Sequence, residues 1–233
     1  MLQLPRPGRG NLDGMFRNAR HHRARHLAAA ALWCAGLAAQ AAEERVFDFD
    51  VLLDGKSIGT HEFRLTTAPD GTLDVRSEAR FDVRVLGLVV YRYRHLAREQ
   101  WRAGCLQRVE AETRDGGDLL SVSGSQRGDR FELHRPTPRA SSGACVGSYA
   151  YWDQSQLQGR PELLNPQTGE FDAVRFEVLS EESIEVQGRP RAAQRHRLRG
   201  AGLSIDLWYS PEGEWLQLAS PARGNRQLLY RRR

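Results

Sequence analysis

Two side chains suited to proton transfer, His95 and Glu99, lie in a segment that alternates in the manner of a β-strand. This predicted strand, residues 89–101, places one set of side chains on a common face: Tyr91, Tyr93, His95, Ala97, Glu99 and Trp101. Titratable groups that share a cleft are candidates for acid–base catalysis, so His95 and Glu99 are one candidate site. The alternative is a structural pair whose members hydrogen-bond each other or neighbouring tyrosines.

Two further histidines point inward by the same alternation. His61 accompanies Phe63, and His196 accompanies Leu198. Together with His95 and Glu99 they could hold a metal only by converging within about 2.2 Å of one ion, which strand register cannot establish. The chain also lacks HExxH, GxSxG and CxxC motifs and a Gly-rich phosphate loop. We therefore predict no catalytic residue, no metal and no cofactor, and a protein that is more readily explained without catalysis.

Strand periodicity dominates the chain after residue 41. Between residues 72 and 85 the residues with odd numbers from Leu73 to Val85 are mostly apolar, and charged residues of alternating sign lie between them. The same test predicts strands at 45–53, 57–66, 89–101, 106–114, 119–126, 130–134, 173–179, 183–186, 192–199, 203–209, 214–219 and 226–231. Turns such as Asp54-Gly55 and Gln187-Gly188 join successive strands as hairpins. We predict an all-β fold, an antiparallel meander that forms a strongly curved sheet or open barrel.

One long insertion, residues 136–168, interrupts this pattern. It holds four prolines and the aromatic cluster Tyr149, Tyr151 and Trp152. A short helix is expected near residues 153–158, with Asp153 as its N-cap. The aromatic cluster is expected either to cap the mouth of a cavity or to plug one end of the sheet.

The first 41 residues have the three parts of a secretory signal. A basic stretch ends at His26, an apolar core follows, and Ala39-Gln40-Ala41 precedes the expected cleavage site. Translation is expected to start at Met1 or at Met15. We predict export to the periplasm, one domain over residues 42–233, and no transmembrane segment in that domain.

Charge excludes one class of partner. The excess of five basic residues lies within residues 1–41, and the remainder holds 28 basic and 28 acidic residues. A nucleic-acid binder needs clustered cations, so nucleic acid is not expected as a partner. Two cysteines remain after cleavage, Cys105 and Cys145, and an even pair in an oxidising compartment predicts one disulfide.

Four sequence blocks carry a family resemblance: FDVLLDGKSIGTHEF (49–63), SEARFDVRVLGLVVYRYRHLAREQW (77–101), YAYWDQSQLQGRPELLNPQTGE (149–170) and IDLWYSPEGEWLQL (205–218). The chain resembles a domain-of-unknown-function family of exported proteobacterial proteins, and that resemblance implies one domain and supplies no catalytic residues. The final Trp-Tyr, turn, Trp-Leu hairpin looks like the LolA-like half-barrels, which hold acyl chains in a concave apolar sheet. The chain departs from those carriers in its long insertion and in its inward polar groups.

The leading functional hypothesis is a periplasmic binding or carrier module for a lipid or other apolar small molecule. Its site residues are expected to be Phe63, Phe81, Tyr91, Tyr93, His95, Glu99, Trp101 and His196, with Trp208 as a further member. The alternatives are an enzyme that uses His95 and Glu99 as an acid–base pair, and a ligand-free scaffold or assembly protein. The sequence identifies no protein partner.

Overall fold

The computed structural model of the chain describes residues 42–134, 139, 140, 143 and 145–233. The predicted signal peptide, Met15, and Pro136 and Pro138 of the insertion lie outside the described residues. The described residues fall in one compact unit, Gln40–Arg233. The secretory signal, the periplasmic location and the single mature domain therefore stay predictions.

Fourteen strands form one sheet over the described residues, in the order β8-β7-β6-β5-β4-β3-β2-β1-β14-β13-β12-β11-β10-β9. The first eight strands are β1 (Glu43–Leu53), β2 (Lys56–Thr67), β3 (Leu73–Val85), β4 (Leu88–Arg102), β5 (Cys105–Asp115), β6 (Asp118–Arg127), β7 (Arg130–Leu133) and β8 (Arg139–Ala140). The other six are β9 (Glu162–Leu164), β10 (Phe171–Val186), β11 (Arg189–Gly200), β12 (Leu203–Tyr209), β13 (Trp215–Ala222) and β14 (Arg226–Arg232). Neighbouring strands are antiparallel throughout, and the predicted all-β meander is confirmed.

The sheet curves around a single core. Buried side chains of β7 near one edge, such as Phe131, belong to the same apolar cluster as Leu164 of β9 at the other edge. Strands so far apart in the order share one core only if the sheet bends strongly. Within the described residues the edge strands β8 and β9 do not pair with each other, so the barrel-like sheet is not closed.

The insertion fills one end of this curved sheet. The backbone amide of Leu106 donates to the carbonyl of Val146, and the amide of Leu164 donates to that of Gly147. The helix α1 (Gln154–Leu157) follows, and the side chain of its N-cap Asp153 accepts from the amide of Ser155, as predicted. We call residues 145–161 the plug. The predicted disulfide between Cys105 and Cys145 is confirmed and attaches the plug to the start of β5.

The turns divide between two ends of the sheet. Antiparallel order places the β1–β2, β3–β4, β5–β6 and β13–β14 turns together at one end, which we call the open end. The plug lies at the opposite end, where a Cβ added at Gly104 of the β4–β5 turn would meet Gln156 of α1 at 3.2 Å. We call this the plugged end.

The structure corrects the sequence analysis at three points. Residues 173–179 and 183–186 form one long strand, β10, because a register shift between Val178 and Glu181 lets it bend without ending. Strands β8 and β9 were missed, since two or three residues are too few to show a period. Trp208 lies on the outer face, in a second apolar cluster with Leu216, because alternation along β12 turns Leu207 and Tyr209 inward.

Charged side chains cover the outer face of the first strands, as their alternation predicts. Arg76 pairs with Glu78 at 2.6 Å, and Arg64 pairs with Glu44 at 2.6 Å. Such exposed pairs contribute little stability each, on the order of 0 to 1 kcal/mol. Among the described residues, no helix combines the length and apolar character needed to cross a bilayer.

The disulfide should set the thermal stability of the plugged end. It closes a loop with a sequence separation of 40 residues, for which the loop-entropy argument gives about 3 to 4 kcal/mol. Reduction, or the double change Cys105→Ser and Cys145→Ser, should lower the melting temperature by roughly 10 °C. Differential scanning fluorimetry with and without reductant measures this shift. Equal melting temperatures in both conditions would contradict the assigned role.

Candidate functional site

A cavity of about 270 Å³ lies inside the curved sheet. One wall comes from β2, β3 and β4, and the opposite wall comes from β12, β13 and β14. The plug closes the cavity at the plugged end. The lining side chains are His61, Phe63, Val75, Ser77, His95, Ala97, Glu99, Tyr149, Tyr151, Trp152, Asn165, Pro166, Gln167, Leu203, Ile205, Leu218, Ser220, Leu228 and Tyr230. We call this space the inner cavity.

Strand register arranges the side chains of the β2–β3–β4 wall, which we call the polar wall, in rows. His61, Ala79, His95 and Thr113 stand side by side across β2, β3, β4 and β5. The next row toward the plug is Phe63, Ser77, Ala97 and Ala111, and the third is Leu65, Val75, Glu99 and Val109. Small side chains at the centre of these rows leave the volume that larger residues would fill.

Each polar group of the wall has its own partner. The Nε2 atom of His61 lies 2.7 Å from the Ser77 hydroxyl, and its Nδ1 atom lies 3.3 Å from the Tyr230 hydroxyl. The Nδ1 atom of His95 lies 2.9 Å from the Thr113 hydroxyl. Satisfied hydrogen bonds lower the cost of burying these groups, so the wall is both stable and polar.

Glu99 connects the wall to the plug. Its carboxylate accepts from the Ser148 hydroxyl at 2.9 and 3.0 Å and from the Trp101 indole N–H at 2.9 Å. Ser148 belongs to the plug and is buried. Glu99 and His95 are thus held by different partners, and the hydrogen-bonded pair considered from the sequence does not form between them.

Burial changes the acid–base properties of this wall. Desolvation raises the pKa of Glu99 to about 7, although the hydrogen bonds from Ser148 and Trp101 oppose the shift. Desolvation lowers the pKa of His95 to about 4, and desolvation together with the charge of His95 holds the pKa of His61 well below its usual range. At neutral pH both histidines are therefore uncharged and Glu99 is close to its midpoint.

The structure places the predicted aromatic site residues in different surroundings. Phe63 lines the inner cavity, whereas Phe81 is buried beside it and stacks on the half-buried Tyr93 with ring centroids 5.1 Å apart. Trp101 is buried, and its indole N–H donates to Glu99. Tyr91 shares this register but is exposed, because it lies at the open end beyond the core; its hydroxyl donates to Asp115 at 2.5 Å. The expectation that Tyr91 points into the interior is wrong.

His196 is buried as predicted but lies apart from the other histidines. Its ring stacks on Phe176 at 4.9 Å between centroids and meets Tyr209 edge-on. It lines a different cavity, about 620 Å³, with Glu182 and Ser210. Its Nδ1 atom has no hydrogen-bond partner among the described residues. The three histidines therefore do not form one cluster, and no group of three His, Cys, Asp or Glu side chains in the described part of the chain is placed to hold a metal.

Sequence reasoning missed several members of the site. Tyr230 of β14 and Ser148 of the plug reach the wall only through contacts between distant segments, for which a single sequence carries no signal. Thr113 could have been found, because it follows Val109 and Ala111 in the inward register of its own strand.

Fold and site together define a class: an all-β, barrel-like protein with a plugged interior and a small polar-walled cavity. The chain belongs to the family described as "Domain of unknown function (DUF6134)", whose sequence profile matches residues 49–233. This confirms the resemblance to a domain-of-unknown-function family. No curated protein matches the chain.

A solved structure shares the fold. It is described as the crystal structure of a beta-barrel-like protein of domain of unknown function DUF1849 from Brucella abortus. The TM-score is 0.60 at 9% identity, over 84% of this chain and 98% of that one. Similarity at this identity concerns the fold alone. The similarity to LolA-like half-barrels stays a prediction, since these comparisons do not show it.

The titration of Glu99 predicts a pH-dependent stability. Its folded pKa of about 7 exceeds its ordinary value of 4.5, so the folded state holds a proton that the unfolded state has lost between these pH values. Stability from this group therefore falls as pH rises from 4.5 to 7, by about 3 kcal/mol, and is constant above that. The free energy of unfolding of Glu99→Gln, measured by chemical denaturation, should therefore rise relative to that of the unmodified protein by this amount as pH increases across the same window. A difference independent of pH would contradict the assignment.

His95 supplies a control of opposite sign. Its folded pKa of about 4 lies below its ordinary 6.5, so the unfolded state binds the extra proton in that window and stability falls as pH decreases from 6.5 to 4. The stability of His95→Gln relative to that of the unmodified protein should therefore increase as pH decreases. If both variants change in the same direction with pH, the wall is not titrating as described.

Proposed function

We propose that the protein binds a small, uncharged and largely apolar ligand in the inner cavity. The observation that carries the proposal is an interior space of about 270 Å³ bounded by apolar side chains and, on one wall, by four hydrogen-bonded polar side chains, His61, Ser77, His95 and Glu99. Ligand sites are typically concave, mostly apolar and fitted with a few polar groups that orient the ligand. The volume is near the lower end of such sites, so it suits a small molecule or a short segment of a chain-like lipid.

The charge state of the wall selects the ligand chemistry. His61 and His95 are neutral at pH 7, and Glu99 is partly protonated. A bound anion would approach a carboxylate without a cation to balance it, which is costly in a desolvated site. Hydroxyl, carbonyl or ether groups on an apolar body match the wall better.

The cavity has a path to solvent at the open end. Leu203, Ser220 and Leu228 of its lining are half-buried, and Gln167 is exposed. At the other end Trp152 packs against Trp101 and Phe63, with ring centroids 6.1 and 5.9 Å away. A ligand would therefore enter between the turns of the open end.

Export to the periplasm is part of the proposal. The signal-like residues 1–41 motivate it, and the disulfide between Cys105 and Cys145 supports it because disulfides persist in oxidising compartments.

Catalysis by His95 and Glu99 is a weaker alternative. Each side chain is held by a separate hydrogen-bond partner. Residues four apart on a strand are also roughly 13 Å apart along the backbone. A substrate would therefore have to reach both groups, because each side chain is hydrogen-bonded to a different residue and not to the other.

Two variants test ligand binding. Ala97 lies at the centre of the wall, and Ala97→Phe should fill the cavity from inside; Ser220→Phe should obstruct it near the open end. Both should reduce binding of the neutral apolar dye N-phenyl-1-naphthylamine by at least about tenfold, since each removes the volume that the dye would occupy. Fluorescence titration measures the affinity, and native mass spectrometry of protein recovered after export identifies any natural ligand.

Leu96→Phe is the matched control, because it adds the same ring at the neighbouring residue on the outer face. It should bind the dye as the unmodified protein does. Circular dichroism establishes that each variant is folded. Unchanged dye binding in folded Ala97→Phe and Ser220→Phe, or no binding in any protein, would reject the proposal.

A further inference from the structure

The β3–β4 hairpin ends in an apolar tip that the other described residues leave exposed. Val85, Leu86, Leu88 and Val90, which we call the apolar tip, are exposed by 55%, 97%, 72% and 59%. Val85 and Leu88 form the last cross-strand pair, and Leu86 and Gly87 make the turn. Clustered exposed apolar side chains at a projecting end are typical of a contact surface.

The turn residue Leu86 does not serve the fold. Its φ of 50° lies in the left-handed region, which disfavours a leucine. Other turns of this chain place Asp54, Ala103, Gln187 and Asn225 in the same conformation. Asp and Asn tolerate it best, and none of these residues is as large an apolar residue as leucine. A strained leucine that buries nothing brings no folding benefit, so a role outside the folded core explains it better.

Basic side chains flank the tip. Arg94, Arg92 and Arg84 all pair with one acid, Asp82, at 2.7, 3.4 and 3.9 Å, which leaves an excess of two positive charges on the hairpin. On neighbouring turns of the open end, Arg223 and Arg226 offset Asp115 and Asp118. The chain from residue 42 onward is neutral in total, so this excess is local.

We propose that the apolar tip inserts reversibly into the surface of an anionic lipid bilayer. The apolar side chains would enter the interface between headgroups and acyl chains, and the arginines would contact anionic headgroups with their flexible stems. Tyr91, just behind the tip, is a residue type enriched at that depth. The proposal stands on the hairpin alone, but it would also bring the open end of the inner cavity to the membrane.

Vesicle flotation tests the proposal. The full chain is expressed in a bacterial host and its processed form is mixed with phosphatidylethanolamine vesicles that contain phosphatidylglycerol, or with phosphatidylcholine vesicles. The protein should float with the anionic vesicles and bind the zwitterionic ones at least about fivefold more weakly, since each basic residue near an anionic surface contributes roughly that factor. High salt should reduce the difference.

Leu86→Asn separates binding from folding. Asparagine accepts the left-handed turn, so the melting temperature should stay the same or rise, while vesicle binding by Leu86→Asn combined with Leu88→Ser should fall at least about tenfold. The matched control replaces Val178 and Leu179, which are also exposed, by serine on β10; its vesicle binding should be unchanged. Dye binding in the inner cavity should survive in both, so failure of this proposal is distinguishable from failure of the proposed ligand site.

Three results would overturn the proposal. The first is a processed protein that floats with neither kind of vesicle. The second is equal flotation of the tip variant and the unmodified protein. The third is a dimer, detected by light scattering, that the tip variant abolishes, because it would assign the tip to a second copy of the chain.

Discussion

The pairing of β1 with β14 holds the two halves of the molecule together. Five residue pairs, from Phe49 with Arg232 to Leu53 with Leu228, join the meander that begins the domain to the meander that ends it. The register sets Val51 opposite Tyr230, and this brings the Tyr230 hydroxyl within 3.3 Å of His61 on β2. Arg232 of the same strand lies over the Phe47 ring at 4.7 Å. A one-residue slip would turn all these side chains to the other face, so both walls of the inner cavity depend on this ladder.

Residue size along the inner rows decides where the sheet is packed and where it is hollow. Phe49 and Trp215, with ring centroids 4.4 Å apart, fill the space beside β1, whereas Ser77 and Ala79 on β3 and Ala97 on β4 leave theirs unfilled. The polar groups then fall around the gap and not in the packed region. Burying His61, His95 and Glu99 costs stability even with hydrogen bonds satisfied. An apolar wall of similar volume would fold at least as well, so folding alone does not account for these three residues.

Alternation, together with the turn residues between strands, predicts the all-β meander and the inward side of three polar residues of the site. The inward positions of His61, His95 and Glu99 follow from a period of two, and the structure has them on one wall. The two-residue period of a strand does not show where the strand extends beyond the core. It therefore predicts that Tyr91 points into the interior, although Tyr91 lies past the last packed row of side chains. It also does not tell which strands meet across the interior, and His196 was therefore grouped with histidines that line another cavity. The partners Tyr230 and Ser148 depend on contacts between distant segments, which only the folded chain brings together.

The two ends of the sheet differ in a way that gives the cavity a direction. At the plugged end, the disulfide, the Glu99–Ser148 hydrogen bonds and the Trp101–Trp152 contact all connect the plug to the wall. Opening that end would break covalent and buried polar contacts together, at a cost of several kcal/mol. At the open end the described contacts between turns are hydrogen bonds, such as those from Tyr91 to Asp115 and from the Gln227 amide to Asp54, and no described disulfide joins them. Local opening follows the lower cost, so exchange of any ligand should take place where the apolar tip and its arginines project.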